Sequence, residues 1–450
     1  MPEAVRRLEH RVRPAELGQG HEAHAADEPG AALFAAAPLT MRTAVPRLAA
    51  TDREHRMTAA PTEAAITAWL ATQKEVMLAM LERMVNTDSG SADKQGVDTV
   101  GDQISDFLMG HGIAVETKPG ARQGDVLRAL VAGPETGSGG ANSGRSIVLM
   151  GHRDTVFPRG EAARRPFRIE NGRAYGPGVA DMKAGLVMNA YVLAAFARFG
   201  GNPSPVVGLF TGDEEIASPE ARPAIEAEGR NARAVFNSEP GRPSGNVVTG
   251  RKGGVFLTMA IEGRAAHSGG NFEAGISAIE ELARKVQAIH ALSDLGRGIT
   301  LNVGLVRGGQ SVNTVAPWAE GDIDLRYVAP DQRDEILARI EAIVRTAHVP
   351  GTKATLRING EFLPLTEGAA SAALLALYRD ASGNPGLEGE FSGGCADSGF
   401  TAAVGAPTLC GVGPIGGRAH TEEEYLEVES LVPRAQALAR AICRIDEAGL

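Results

Sequence analysis

Buried-strand patterns alternate with helical patterns along the first half of this chain. The apolar runs SIVLM (146–150), PVVGLF (205–210) and RAVFN (233–237) have the length and the β-branched content of buried strands. Apolar residues recur at helical spacing between them, around 182–199 and 219–228. This alternation predicts an α/β fold with a mainly parallel mixed sheet flanked by helices. In such a sheet, reactive groups collect at the carboxyl ends of the strands.

Two further helical patterns precede these strands. Apolar residues from Thr62 to Val85 recur at near-helical spacing, which predicts one long amphipathic helix. A second helix is predicted over Val97 to Met109, ending at Gly110.

The order of patterns changes near Gly250. Strand, helix, strand, strand, helix and strand patterns follow one another up to residue 358, and this order predicts an inserted ferredoxin-like α+β domain. The predicted divisions are a disordered extension at 1–57, an α/β domain in two parts at 58–249 and 361–450, and the insert at 250–360.

Composition narrows the class of protein. Apolar residues make up 43% of the chain and charged residues 22%, and acids outnumber bases 55 to 45. A net charge of −10 argues against a nucleic-acid partner, because phosphate binding needs clustered Lys and Arg. No run of apolar residues is long enough for a membrane span, and three scattered cysteines argue against a disulfide framework. A cytoplasmic location is expected, with export left open because the first 57 residues are ambiguous.

Acids and histidines follow the predicted strands directly. His152 and Asp154 come after the first strand, Glu214 and Glu215 after the second, and Glu239 after the third. A histidine bound to a metal usually donates its other ring nitrogen to a carboxylate, and Asp154 is placed to be that acceptor. Taken singly, each is ambiguous: His152 and Asp154 fit a polar loop, and the paired glutamates fit the first turn of a helix.

Two more residues complete a set of metal ligands. Asp181 follows the glycine-rich turn GPGVA, and its two carboxylate oxygens allow it to bridge two cations, although alone it fits a helix N-cap equally well. His420 lies far along the chain in GGRAHTEEEY. Imidazole and carboxylate ligands without thiolates suit two Zn²⁺ ions sharing a bridge, with Co²⁺ or Mn²⁺ as alternatives.

The wording and order of these motifs resemble a known family. GHRDTVF, YGPGVADMKAG, TGDEE, SEP, AAHSG and the late AHT, spread over about residues 62–445, are similar to the dizinc metallopeptidases that include aminoacylase, acetylornithine deacetylase, succinyl-diaminopimelate desuccinylase and glutamate carboxypeptidase. TVFPRG and GPGVADMKAG look closest to the bacterial glutamate carboxypeptidase branch.

The resemblance implies a role for each residue of the set. His152 and Glu239 would hold one zinc ion, Glu215 and His420 the other, and Asp181 would bridge them. Asp154 would orient His152, and Glu214 would be the general base that takes a proton from the attacking water and passes it to the leaving amine. It also implies a cis peptide between Asp181 and Met182.

A second set of residues comes mainly from the insert. The resemblance implies that His267, in GRAAHSGG, reaches into a partner subunit's site and stabilises the oxyanion, so that a homodimer is expected. Asn313 and Arg326 would hold a free carboxylate of a small-molecule or peptide substrate, and Gly393 and Gly394 would let backbone approach it. The insert would then act as a lid and a dimerisation domain.

Two positions depart from the glutamate carboxypeptidase pattern. Cys395 stands within a glycine-rich run, and Glu361 stands where that branch tends to have an arginine. The sequence therefore predicts a zinc-dependent exopeptidase of the glutamate carboxypeptidase kind, with an N-acyl amino acid deacylase or desuccinylase as the alternative. A metal-free binding protein is a remote third reading, because all the candidate ligands are present. Cys395 would line the pocket, since no base is paired with it as for a nucleophile.

Overall fold

The computed structural model describes residues 40–41, 63–133 and 144–448. The predicted extension at 1–57 lies outside them except for Thr40–Met41, so it stays a prediction. The helices are α1 (Glu63–Ala71), α2 (Lys74–Val85), α3 (Lys94–Gly110), α4 (Glu161–Arg164), α5 (Ala184–Arg198), α6 (Arg222–Asn231), α7 (Ala278–His290), α8 (Pro330–Arg345), α9 (Ala369–Ser382), α10 (Ser398–Ala403) and α11 (Leu431–Arg444).

The strands form three sheets. They are β1 (Thr40–Met41), β2 (Ala114–Lys118), β3 (Val126–Val131), β4 (Ser146–His152), β5 (Arg168–Glu170), β6 (Arg173–Tyr175), β7 (Val206–Thr211), β8 (Ala232–Asn237), β9 (Val247–Arg251), β10 (Gly253–Glu262), β11 (Thr300–Gly308), β12 (Trp318–Tyr327), β13 (Lys353–Phe362), β14 (Gly389–Ser392), β15 (Thr408–Cys410), β16 (Gly416–Gly417) and β17 (Tyr425–Glu427). The nine-stranded sheet has the order β1-β2-β3-β7-β4-β8-β15-β9-β14.

Parallel pairing fills the centre of the nine-stranded sheet. The pairs β7/β4, β4/β8 and β8/β15 are parallel, whereas β1, β2 and β3 pair antiparallel at one side. Every residue of β4, β7 and β8 is buried, as expected for strands covered by helices on both faces. The predicted α/β class with a mixed sheet is confirmed, and the three strands that end in acids or histidine lie side by side.

Helix α5 forms the centre of the main core. The helical segment Val179–Arg198 is long and apolar enough by composition to cross a membrane, but 94% of its most apolar window is buried inside the protein. Helices α1, α2, α3 and α11 contact it. Its apolar character is therefore explained by its place in the core.

The single helix predicted over Thr62–Val85 is wrong in one respect. The structure has two helices, α1 and α2, separated at Thr72 and Gln73. The Thr72 hydroxyl and the Gln73 amide both donate to the carbonyl of Trp69, at 2.7 and 3.3 Å. Side-chain hydrogen bonds of this kind compete with the helical backbone bonds, and apolar spacing does not reveal them.

The segment from β10 to β13 has the predicted ferredoxin-like order. Its antiparallel sheet runs β11-β12-β10-β13, and α7 and α8 pack against it. Its buried apolar residues, from Val255 to Val344, form a cluster of their own. The domain boundaries at 250 and 360 stay predictions, although a separate core is what an inserted domain requires.

A lysine that is ion-paired within α7 joins the two helices of this segment. Lys285 and Glu281 of α7 are both fully buried, and their Nζ and Oε1 atoms lie 2.9 Å apart. Lys285 also donates to the carbonyls of Ile343, Val344 and Thr346 at 2.6–2.9 Å. These carbonyls lie at the end of α8, where no further helical turn satisfies them. Lys285 thus caps α8 from α7.

Replacing this lysine should destabilise the fold strongly. Lys285→Met would leave Glu281 as an unpaired buried charge and the α8 carbonyls without a donor, so we expect a loss of about 3–5 kcal/mol in the free energy of unfolding. Urea denaturation followed by circular dichroism measures it. The control is Arg284→Met, which removes an exposed pair with Glu280 on the same helix and should cost under about 0.5 kcal/mol. Equal costs for both variants would contradict the argument.

Candidate metal centre and active site

Three neighbouring parallel strands deliver the first group of side chains. His152 ends β4, Glu214 follows β7 and Glu239 follows β8. His152 Nε2 lies 3.8 Å from Glu214 Oε2 and 3.6 Å from Glu239 Oε1. All three side chains are buried, and their ligand atoms lie close enough together to share one ion. The strand order therefore produces the convergence that the separate motifs could only suggest.

Asp181 lies between two imidazoles. Its Oδ1 is 3.2 Å from Nε2 of His152, and its Oδ2 is 3.4 Å from Nε2 of His420. The peptide bond to Met182 is cis, as the resemblance implied. Each carboxylate oxygen thus faces a different histidine, which is the arrangement that a bridging ligand requires.

Glu215 and His420 form the second group. Glu215 Oε2 lies 3.2 Å from His420 Nε2, and a ligand group of His152, Asp181 and Glu215 is also compact enough for one ion. The His420 side chain is 53% exposed, whereas that of Glu215 is 7% exposed. All five predicted metal ligands therefore meet in one place, with Glu214 beside them.

Asp154 is fully buried behind this cluster. Its carboxylate accepts the backbone N–H groups of Glu214 and Glu215 at 3.0 and 3.1 Å, and the Ser91 hydroxyl at 2.7 Å. His152 Nδ1 lies 3.0 Å from the Asp154 carbonyl and 3.4 Å from its carboxylate Oδ1. The closer contact of the imidazole is with the carbonyl, so the carboxylate mainly fixes the turn that carries both glutamates.

Glu424 fixes the loop that carries Asp181, and sequence reasoning did not identify it. Its buried carboxylate accepts the backbone N–H groups of Gly178, Ala180 and Asp181 at 2.8–3.0 Å. The only sequence signal is the acidic run after His420, in which Glu424 cannot be told from its neighbours. It connects the two loops that supply Asp181 and His420.

The electrostatics of the cluster call for cations. Burial, with repulsion from Glu239 and Glu215, raises the pKa of Glu214 well above its usual range. Burial raises the pKa of Glu239 to about 7, and hydrogen bonds with Asp181 and Glu215 raise that of His420 to about 10. Within the described residues, no lysine or arginine forms an ion pair with these carboxylates, and Glu239 Oε1 is buried without a hydrogen bond. A divalent ion would satisfy these groups together.

A cleft of about 550 Å³ opens over the cluster. Besides the acids and His420, it is lined by Arg251, Phe256, Arg326, Gly394 and Cys395. Arg326 stacks on Phe256, with its guanidinium carbon 5.1 Å from the ring centre, and donates to Cys395 Sγ at 2.7 Å. The predicted carboxylate-binding residues Arg326 and Gly394 therefore face the same space as the metal ligands, and Cys395 lines it as expected.

Arg251 was also missed from the sequence. It ends β9, is 7% exposed, and donates to the carbonyls of Gly394 and Cys395 at 3.2 Å. Its Nε–H also donates to Cys410 Sγ at 3.2 Å, and within the part of the chain that the structure covers it has no carboxylate partner at salt-bridge distance. It therefore places a positive charge at the lining of the cleft.

Glu361 does not face the cleft. Both of its carboxylate oxygens accept from the guanidinium of Arg333, at 2.6 and 2.7 Å. Its charge is thus neutralised within the β10–β13 segment. Having Glu361 where the glutamate carboxypeptidase branch tends to have an arginine therefore does not place an acid in the cleft.

His267 and Asn313 lie together, away from the cleft. Both are exposed, and the backbone N–H of Ser268 donates to the Asn313 carbonyl at 3.0 Å. His267 Nδ1 accepts from the N–H groups of Gly269 and Gly270, at 3.2 and 3.0 Å. Its proton is therefore on Nε2, which has no hydrogen bond within the described residues. Neither residue lines the cleft of its own chain.

Comparison with known proteins decides the family. The profile of peptidase family M20/M25/M40 matches residues 148–444, which is well over half of the chain. The chain belongs to this family. The chain is 27% identical over 377 residues to carboxypeptidase G2 of Pseudomonas sp. (strain RS-16), and the alignment covers 82% of this chain and 89% of the relative. It is 28% identical over 305 residues to succinyl-diaminopimelate desuccinylase of Alkalilimnicola ehrlichii, covering 64% and 80%.

Solved structures of other proteins have the same fold as this chain. The metallo-carboxypeptidase Sso-CP2 of Sulfolobus solfataricus superposes with a TM-score of 0.65 at 16% identity, covering 82% of this chain and 99% of that one. The family consists of metal-dependent hydrolases, and the candidate ligands converge here as that chemistry requires. The protein is therefore a hydrolase and a metal-binding enzyme.

Removing one oxygen of Glu424 should weaken metal binding. In Glu424→Gln, the amide nitrogen would face at least one of the three N–H donors, so the Asp181 loop would shift. Partners of this kind typically account for 10–100-fold in metal affinity, and we expect a loss in that range. Competition with a chromogenic chelator measures the affinity without an activity assay. Glu423→Gln, at the exposed neighbour that pairs with Arg418, should bind metal as the wild type does; equal affinity in both variants would refute the role.

Proposed function

We propose that this protein is a two-zinc exopeptidase that cleaves an amide bond beside a free carboxylate, as in the glutamate carboxypeptidase branch. The observation that carries the proposal is Asp181, with one carboxylate oxygen near each of the two histidines. His152 and Glu239 would hold one ion and Glu215 and His420 the other. Nitrogen and oxygen ligands without thiolate suit zinc, and Co²⁺ or Mn²⁺ fit the same donors.

The ions, when bound, would polarise the scissile carbonyl and lower the pKa of water. Glu214 is the residue of the cluster left for proton transfer, because the other carboxylates hold metal. Its side chain is buried beside His152, and its backbone is held by Asp154. We assign it as the general base that takes a proton from the attacking water and later delivers it to the leaving amine.

Arg326 would hold the substrate carboxylate at the far side of the cleft. Its stacking on Phe256, its contact with Cys395 and its Nε–H bond to Asp324 at 2.7 Å fix the guanidinium plane, so little side-chain entropy is lost on binding. Gly394 leaves room for the ligand, and Arg251 adds a second positive charge behind it. This grouping supports a free carboxylate next to the scissile bond.

A deacylase or desuccinylase remains the second candidate. It would use the same ligands and Glu214, and it is favoured by the match to a desuccinylase and by Cys395 in the carboxylate-binding segment. The two candidates differ only in whether the acyl side is a peptide or a short acid.

His267 and Asn313 would complete the site of a second subunit. The Nε2–H of His267 is a donor suited to an oxyanion, and within the described residues it has no hydrogen-bond acceptor. Edge strand β11, which lies a few residues before Asn313 in the chain, exposes Leu305 and Val306, each 60% accessible. Exposed apolar side chains on a sheet edge favour pairing with another copy. We therefore propose a homodimer in which each insert serves the partner's cleft.

Glu214→Gln should separate catalysis from metal binding. The amide cannot accept a proton, so we expect kcat to fall by a factor of about 10²–10⁴ while two ions per chain are retained. Steady-state kinetics and metal analysis measure the two quantities. Glu215→Gln provides the contrast, because it should lose metal together with activity. Near-normal turnover in the Glu214 variant would remove that residue from the base role.

A substrate panel decides between the two candidates. Zinc-loaded protein should hydrolyse folyl-glutamate or dipeptides faster than N-acetyl or N-succinyl amino acids, and amidation of the free carboxylate should abolish cleavage. Mass spectrometry of the products measures this. Preference for the acylated amino acids would instead establish the deacylase, and equal cleavage of amidated substrates would contradict the carboxylate requirement.

Subunit complementation tests the shared site. Glu214→Gln and His267→Ala should each be nearly inactive alone, the latter through a lower kcat rather than a higher KM. A mixed dimer has one site with both an intact Glu214 and a partner histidine. After unfolding and refolding of an equimolar mixture, about half of the dimers should be mixed, and each mixed dimer has one complete site out of two. We therefore expect about a quarter of wild-type activity. No recovery, with light scattering showing monomers, would refute the homodimer.

A further inference from the structure

The turn that carries both catalytic glutamates is bounded by two hydroxyl residues. Thr211 ends β7, and Ser218 follows the short helical turn Glu214–Ile216. Ala217 and Ser218 have positive φ angles of 71° and 50°, although neither is glycine. Consecutive left-handed residues of this kind persist only where surrounding contacts hold them. Within the turn, the Ser218 N–H donates to the Asp213 carbonyl at 2.8 Å, and contacts from outside the turn add to this restraint.

Asp397 supplies these outside contacts. It is 4% exposed, and its Oδ1 accepts the Ser218 hydroxyl at 2.5 Å while its Oδ2 accepts the Thr211 hydroxyl at 3.4 Å. One carboxylate thus holds both ends of the segment that contains Glu214 and Glu215. Asp154, which follows the neighbouring strand β4, holds the same segment by accepting the backbone N–H groups of Glu214 and Glu215.

Asp397 is also the continuation of the segment that faces substrate. Gly394 and Cys395, just before it, line the cleft, and their carbonyls accept from Arg251. Cys395 Sγ accepts from Arg326. A carboxylate bound between these arginines would therefore press on a segment that ends in Asp397.

We propose that Asp397 is a positioning residue that couples the cleft-lining residues Gly394 and Cys395 to the turn bearing Glu214, so that filling the cleft aligns the general base. The proposal rests on the proposed function, since it assigns Glu214 as the base. It concerns orientation: within the described residues Asp397 forms no hydrogen bond with the side chains of the candidate metal ligands and does not line the cleft, and its carboxylate bonds the two hydroxyls.

A double-mutant cycle in kcat tests the coupling. Asp397→Ala and Ser218→Ala should each lower kcat at least about tenfold, with KM changed by less than about threefold and metal content unchanged. If Asp397 acts through Ser218, the double variant should be no slower than Asp397→Ala alone, because the second change removes a contact already lost. Multiplicative effects, or a change in KM or metal content alone, would overturn the proposal.

Two further variants separate coupling from general damage. Thr401 lies in helix α10, which begins directly after Asp397. Thr401→Ala removes a buried hydroxyl that bonds the Ser398 carbonyl and the Thr408 hydroxyl but does not contact the glutamate turn. It should leave kcat unchanged at equal folded fraction. Should Asp397→Ala fail to fold, Asp397→Asn keeps the volume and one acceptor oxygen, and it should lower kcat in the same direction by a smaller factor. An unchanged kcat in the folded Asn variant would overturn the proposal.

The wild-type enzyme distinguishes this proposal from the function it rests on. If zinc-loaded wild type cleaves no amide of the panel, or Glu214→Gln stays active, the proposed function fails and the coupling fails with it. If the wild type is active, Glu214→Gln is inactive and Asp397→Ala keeps a normal kcat, only the coupling is refuted.

Discussion

The site depends on the mutual repulsion of its buried carboxylates, which bound cations would relieve. Asp181, Glu214, Glu215 and Glu239 lie within one cleft beside two imidazoles, and no lysine or arginine of the described residues pairs with them. Burial makes each ionised carboxylate costly, which the raised pKa of Glu239, about 7, reflects. The surrounding structure therefore has to hold the acids in place against their repulsion.

Buried side-chain carboxylates perform that task by accepting hydrogen bonds from the segments that carry the acids. Asp154 holds the N–H groups of the glutamate turn, and Glu424 holds those of the loop that carries Asp181. Asp397 holds the hydroxyls on either side of the glutamate turn. Asp154 and Glu424 thus fix main-chain segments directly, whereas Asp397 acts through two side-chain hydroxyls. Ligand geometry is thereby decoupled from side-chain flexibility.

The segment from β10 to β13 contributes differently to the two halves of the site. Arg326 of β12 faces the cleft of its own chain, whereas His267 and Asn313 lie on an exposed part of the same segment. A buried lysine and a separate apolar core hold this segment together. It can therefore present Arg326 on one side and His267 on another as a rigid unit, which the proposed dimer would use.

The sequence by itself determined the fold class, the ferredoxin-like order and the residues of the metal cluster, because strand patterns and motifs are local and His152, Glu214 and Glu239 directly follow or end buried strands. Only the tertiary structure decided which atoms meet. It added the contacts of Glu424, Arg251 and Asp397, and it split the first helix. These features depend on hydrogen bonds between residues distant in sequence or on side-chain competition with the backbone, and hydrophobic periodicity carries no information about either.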